Sequence, residues 1–141
     1  MQKVNFYFLD RKYGIRDRTG LKRAVERLFE KEKKKLVTLN YIFCSDEYLL
    51  EINKTYLKHN YFTDIITFDL SEERDKIIGE IYISIDRVLD NAIRLHVSKR
   101  QELCRVIFHG GLHLCGYRDK KAAEKIQMRK KEDEYLAYYL K

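Results

Sequence analysis

Residues 98–119 read SKRQELCRVIFHGGLHLCGYRD, and the way this stretch divides its side chains decides the fold. Ser98, followed three residues later by Gln101, is a capping-box pattern that opens a helix. Gly116 is the residue type that closes one through a left-handed turn. Between them Leu103, Cys104, Ile107, Phe108, Gly111, Leu114 and Cys115 gather on one side at about 100° per residue. A stripe that wide needs a sheet to lie on. His109 and His113 fall one turn apart, separated by only about 40°, on the face turned away from the stripe. Cys115 projects about 200° from His113 and stays outside any site the histidines form. Gly111 lies within the stripe, where glycine costs about 1 kcal/mol relative to alanine, so it is expected to permit close packing.

Toward the N-terminus the hydrophobic period changes from helical to alternating. KIIGEIYIS (76–84), with Ile81, Ile83 and Ile85 in alternation, and DIITFDL (64–70) read as strands joined by the hydrophilic SEERD. KLVTLNYIFC (35–44) alternates Val37, Leu39, Tyr41 and Phe43, and VNFYFLD (4–10) sets Val4, Phe6 and Phe8 against Asn5 and Tyr7. Four further helices follow from apolar spacing. One spans about 17–35 on Leu21, Val25, Leu28 and Phe29; a second runs from a Ser45 N-cap to about Tyr56 on Leu49, Ile52 and Tyr56. The others run from beyond Asp86 to about His96, on Val88, Leu89, Ile93 and Leu95, and over about 120–140, on Ile126, Met128, Leu136 and Tyr139. This order predicts an α+β fold, a sheet of about four strands covered by about five helices. With no proline, no Ser/Gly-rich linker and no repeat, residues 1–141 are expected to form one domain.

A chain of 141 residues buries roughly two-thirds of its unfolded surface without disulfides or a structural metal, so a metal here would serve function more than folding. Cys44, Cys104 and Cys115 are odd in number and lack CxxC spacing, which predicts reduced, core-filling thiols and no disulfide partner. No apolar run has the length of a signal peptide or of a membrane span, and a cytoplasmic protein without membrane contact is expected. The net charge of +7, from 29 Lys and Arg against 22 Asp and Glu, is compatible with a polyanionic partner. The densest run, KEKKK at 31–35, equally suits the negative end of a helix dipole.

A catalytic zinc site wants three protein ligands and an open position, and a helix that supplies two commonly gains the third after a glycine turn reverses the chain. Gly116 supplies such a turn and Asp119 follows it. The metalloprotease motif HExxH needs a glutamate beside the first histidine; Gly110 stands there, which argues against that mechanism.

With these residues in view, FHGGLHLCGYRD closely resembles the signature HGxLHLxGYDH of the YbeY family, bacterial metal-dependent endoribonucleases of 16S ribosomal RNA maturation and ribosome quality control. INKTYLKHNYFTDIITF (52–68) is similar to the family's LNxxYRxxDxxTDVLSF at Asn53, Tyr56, Thr63, Asp64 and Phe68, and GEIYIS (79–84) to its GDIxIS. The resemblance implies a mixed four-stranded sheet, a single-strand endoribonuclease, and ribosomal RNA and ribosomal proteins as partners. It also implies one zinc ion per chain on three positions that fall here on His109, His113 and Asp119.

Two positions depart from the family pattern. Asp119 stands in place of a histidine; a carboxylate oxygen also binds zinc, at about 2.0–2.2 Å. It leaves less positive charge on the metal, and as a hard ligand it admits Mn2+ or another divalent ion. Leu57 stands in place of an arginine, and the adjacent Lys58 and His59 are candidates to contact substrate phosphate in its stead. Arg105, on nearly the histidine face, is a third candidate, or else a surface partner of Glu102. Asp64 either supports a ligand or orders its loop. Beyond a metal-bound water no catalytic group is assigned, and the nucleophile is that water or the RNA's own 2′-hydroxyl. Two other functions stand beside the nuclease: a ribosome-assembly factor binding ribosomal RNA with weak or no nuclease activity, and a metal-dependent hydrolase of another substrate.

Overall fold

The alternating segments build one sheet from β1 (Val4–Phe8), β2 (Lys35–Cys44), β3 (Ile65–Asp69) and β4 (Lys76–Ser84) in a computed structural model that describes residues 2–141. Its order is β1-β2-β4-β3, with β1, β2 and β4 parallel and β3 antiparallel to β4. Parallel neighbours need long crossovers. α1 (Arg18–Lys31) makes the first and α2 (Asp46–Leu57) begins the second; α3 (Ile85–Leu95), α4 (Lys99–Leu114) and α5 (Ala122–Leu140) complete a mixed α+β architecture.

One face of the sheet carries the main core. Leu39, Tyr41 and Phe43 of β2 and Ile81 and Ile83 of β4 pack with Leu28 and Phe29 of α1 and Ile107 and Phe108 of α4, and α5 closes over α4 with Met128, Tyr135 and Leu136. A fully buried side chain of this size contributes about 1.5–3 kcal/mol, so truncating Ile107 to alanine would cost about 2–5 kcal/mol. On the opposite face Leu49 and Ile52 of α2 cover Cys44 and Ile66 in a smaller cluster.

Several local expectations change in three dimensions. α1 stops at Lys31, and Lys33 takes a left-handed φ of 59°, so the lysine run forms the turn into β2 and not a longer helix. A register irregularity between Leu36 and Thr38 turns Leu36 inward and Val37 outward, against simple alternation. Ile85 opens α3 behind the Ser84 cap and does not extend the strand. α3 then buries Ile85, Val88 and Ala92, which leaves Ile93 and Leu95 exposed; Tyr56 and Ile126 are likewise exposed. A helix docking through a narrow stripe cannot also cover side chains about 100° around its axis.

α4 is the most enclosed helix. From Glu102 to Leu114 the residues with partial exposure are Arg105, His109 and His113, spaced i, i+4 and i+8 along one strip. The close approach is at Gly110 and not at Gly111. A Cβ on Gly110 would lie 2.8 Å from Cδ1 of Ile81 and 3.0 Å from that of Ile65, whereas one on Gly111 would meet Phe29 at an ordinary 3.6 Å. The helix ends in a Schellman turn: Tyr117 N–H donates to Leu112 O, Gly116 N–H donates to His113 O, and Gly116 sits at φ 106°.

Candidate metal centre

The strip on α4 and the turn after it bring three acceptor atoms together. His109 Nε2 and His113 Nε2 are 3.0 Å apart, and Asp119 Oδ2 lies 3.3 Å from the first and 3.4 Å from the second. Donors bonded to one tetrahedral ion at about 2.0–2.1 Å are separated by about 3.3 Å, so this triangle has the dimensions of three corners of such a sphere. The three side chains are only partly exposed, between 21% and 38%.

The other ring nitrogens are occupied. His109 Nδ1 is 2.6 Å from Glu132 Oε2 on α5, and His113 Nδ1 is 2.9 Å from the carbonyl oxygen of Tyr117. Both partners are acceptors, so each Nδ1 carries the proton and each Nε2 presents a lone pair to the triangle. Two lone pairs and a carboxylate oxygen within 3.4 Å repel one another unless a proton or a metal ion lies between them. The donor set therefore fits a divalent ion, and His109, His113 and Asp119 are the residues able to hold it.

The supporting groups show how the fold aims these ligands. Burial works against a charged imidazole at His109, but the hydrogen bond and charge of Glu132, with Asp119 and Asp64, outweigh it and raise the His109 pKa above its ordinary 6.5. Burial also raises Asp64, against the opposing pull of His109. Glu132 is held in turn by Arg105, whose guanidinium reaches Glu132 Oε1 at 2.9 Å and Asp133 Oδ1 at 2.7 Å. Arg105 thus pairs with α5 and not with Glu102. It steadies the carboxylate that orients His109, with both Nη atoms engaged on α5.

A cleft of about 590 Å³ opens beside His113, lined also by His59, Tyr61, Thr63, Leu57 and Lys120. His59 reaches it, while Lys58, the left-handed cap of α2, is exposed and outside its lining. Lys120 is the lysine that faces the cleft; it lies one residue beyond the signature, where no motif points to it. Glu132 lies outside every motif, yet the chain carries a signal for it: Met128, Glu132 and Leu136 share one helical stripe, and a glutamate in an apolar stripe needs a polar partner.

Fold and site together define a class: an α+β protein in which one helix and the turn behind it present a three-donor group able to hold a metal ion. The profile of the family described as Endoribonuclease YbeY matches residues 10–140. A Cytophaga hutchinsonii protein named Endoribonuclease YbeY is 50% identical over 136 residues, covering 96% of this chain and 95% of that one. A Flavobacterium psychrophilum protein of the same name is 48% identical over 127 residues, 90% of each chain. A solution structure from Thermotoga maritima superposes with a TM-score of 0.67 at 30% identity, covering 93% of this chain and 86% of that one. The chain belongs to the YbeY endoribonuclease family.

Proposed function

We propose that this chain is a metal-dependent endoribonuclease that cleaves single-stranded RNA, acting in 16S ribosomal RNA 3′-end maturation and ribosome quality control. The observation that carries this reading is the converging triangle of His109 Nε2, His113 Nε2 and Asp119 Oδ2, with both Nδ1 atoms tied back. The three residues would hold one Zn2+ per chain, and the aspartate extends the range to Mn2+. When bound, such an ion supplies Lewis-acid polarisation of a phosphoryl oxygen or activates an oxygen nucleophile.

The protein's own groups do the rest. Glu132 and the Tyr117 carbonyl fix the imidazole tautomers, and Arg105 keeps Glu132 in place. The cleft beside His113 offers Lys120 to a phosphate, in the absence of the family arginine at Leu57, and His59 to the neighbouring strand. Ribosomal RNA and ribosomal proteins are the proposed partners, in the cytoplasm, with residues 1–141 acting as one domain. Among the described residues no helix is long and apolar enough to cross a membrane.

The test pairs metal analysis of the purified protein with cleavage of a ribosomal RNA fragment by the unsubstituted chain and by His113→Ala. Stoichiometric metal and cleavage, both lost in His113→Ala, are expected. Bound metal without His113-dependent cleavage would favour a ribosome-assembly factor or a hydrolase of another substrate, and a metal-free protein would remove the site.

A further inference from the structure

The end of α2 and the loop from it to β3 have features that holding a metal does not require. Tyr56, Leu57, Tyr61 and Phe62 are between 40% and 68% exposed, although burying any of them would be favourable. The loop is nonetheless clamped. The buried Asn53 side chain donates from Nδ2 to the Tyr61 carbonyl at 2.9 Å, and the Asn53 backbone carbonyl accepts the His59 N–H at 3.1 Å in the turn that ends α2. This clamp sets the His59 and Tyr61 rings in a stack, centroids 5.1 Å apart at 19°, with the Tyr61 hydroxyl 2.9 Å from His59 Nδ1. Both residues line the cleft that contains His113 and Lys120.

A stacked, hydrogen-bonded aromatic pair with exposed surface, lining an open cleft with a cationic side chain, is an arrangement by which proteins hold unpaired nucleotides. Every base offers a π-face for stacking, and the backbone is met by charge. We propose that the His59–Tyr61 pair is a base-stacking platform that seats one unpaired nucleobase of the RNA while Lys120 meets the adjoining phosphate. The inference rests on the RNA-cleavage reading and gives its single-strand preference a physical cause: a base already covered on both faces in a duplex cannot use the platform. A protein contact through the same loop is the competing use. The stacked ring faces beside Lys120, in a lining whose one acidic residue is Asp69, favour the nucleotide.

Fluorescence anisotropy of the full chain with a short labelled single-stranded RNA, strand integrity checked on a gel, tests the platform. Tyr61→Ala should weaken binding about ten-fold, the scale of one lost base–aromatic stack, while Tyr61→Phe stays within about two-fold. RNA carrying abasic sugars should bind the unsubstituted chain and Tyr61→Ala equally. Thermal unfolding shows whether each variant is folded, and His59→Ala, expected to lose about three-fold, gives an independent second reading. Unchanged affinity in Tyr61→Ala, or a loss that persists with abasic RNA, overturns the platform and leaves the nuclease reading standing. A folded, unsubstituted chain that binds no single-stranded RNA overturns both.

Discussion

Two clusters of acidic and polar side chains sit in different parts of this molecule, and only one has the makings of a metal site. Asp10, Asp46 and Asp86 gather at the C-terminal ends of the three parallel strands, where α/β sheets commonly bind ligands. Every one of these carboxylates is answered. Asp10 accepts from the Ser45 N–H at 2.8 Å and its hydroxyl at 2.5 Å; Asp46 accepts from Ser84 Oγ at 3.1 Å and Arg87 Nη2 at 2.7 Å; Asp86 accepts from the Asp46 N–H and from Arg11 Nε, each at 3.0 Å. Burial alone would raise Asp10, yet the Ser45 donors hold it below its ordinary 3.8. At the α4 strip, by contrast, His109 Nε2, His113 Nε2 and Asp119 Oδ2 meet without a cationic side chain between them. What marks a metal centre is a deficit of donors, not a count of acids.

Four experiments set this contrast at risk. Asp119→Ala removes one corner of the triangle and should weaken Zn2+ binding by more than about 100-fold, beyond the effect of losing an outer partner. Asp119→His should keep the ion and shift preference from Mn2+ toward Zn2+. Calorimetry with both metals reads each change, and intact affinity in Asp119→Ala would show that the triangle is not the binding group.

Glu132→Gln comes next. It keeps the shape of the acceptor beside His109 Nδ1 and removes its charge, which should weaken metal binding about 10- to 100-fold. If affinity holds, Glu132 orients nothing and its burial beside Arg105 is structural alone.

Asp46→Asn probes the other cluster. It replaces a partly buried ion pair with Arg87 and should lower unfolding free energy by about 1–3 kcal/mol in urea titration, with metal affinity unchanged. A loss of metal there would join two regions that the geometry keeps apart.

The smallest effects belong to the paired glycines. Gly110→Ala must push Ile81 and Ile65 aside, so the helix-propensity gain is outweighed and the thermal midpoint falls; the net cost is about 1 kcal/mol. Gly111→Ala meets only ordinary contacts and should leave stability unchanged or raise it by up to about 1 kcal/mol. Opposite signs at neighbouring positions would show that the sheet touches α4 at Gly110.

Much of this was legible in the chain. Alternation located the strands, Ser45 and Ser98 marked helix starts that their hydroxyls do cap, and Gly116 marked the end of α4. His109 and His113 share a face by helical spacing alone. Less legible were features in which a second element takes part. The irregularity at Leu36–Thr38 arises from pairing with β4, and Ile93 and Ile126 carry apolar side chains that no neighbour covers. Arg105 illustrates the difficulty: Glu102 is nearer in sequence, but α5 brings Glu132 and Asp133 closer in space.

The strands and helices, the left-handed turn at Gly116 and the one-turn spacing of the histidines follow from the chain alone, because each depends on backbone geometry and near neighbours. Asp119 can be named as their neighbour from its place after the Gly116 turn, but its distance to both rings, and the groups behind them, come from packing. Docking of α5 delivers Glu132 to His109 Nδ1, reversal of the chain after Gly116 delivers Asp119 to both Nε2 atoms, and the Asn53 clamp stacks His59 on Tyr61 beside them. Directed lone pairs and ring faces become chemistry when partners remote in sequence fix where they point.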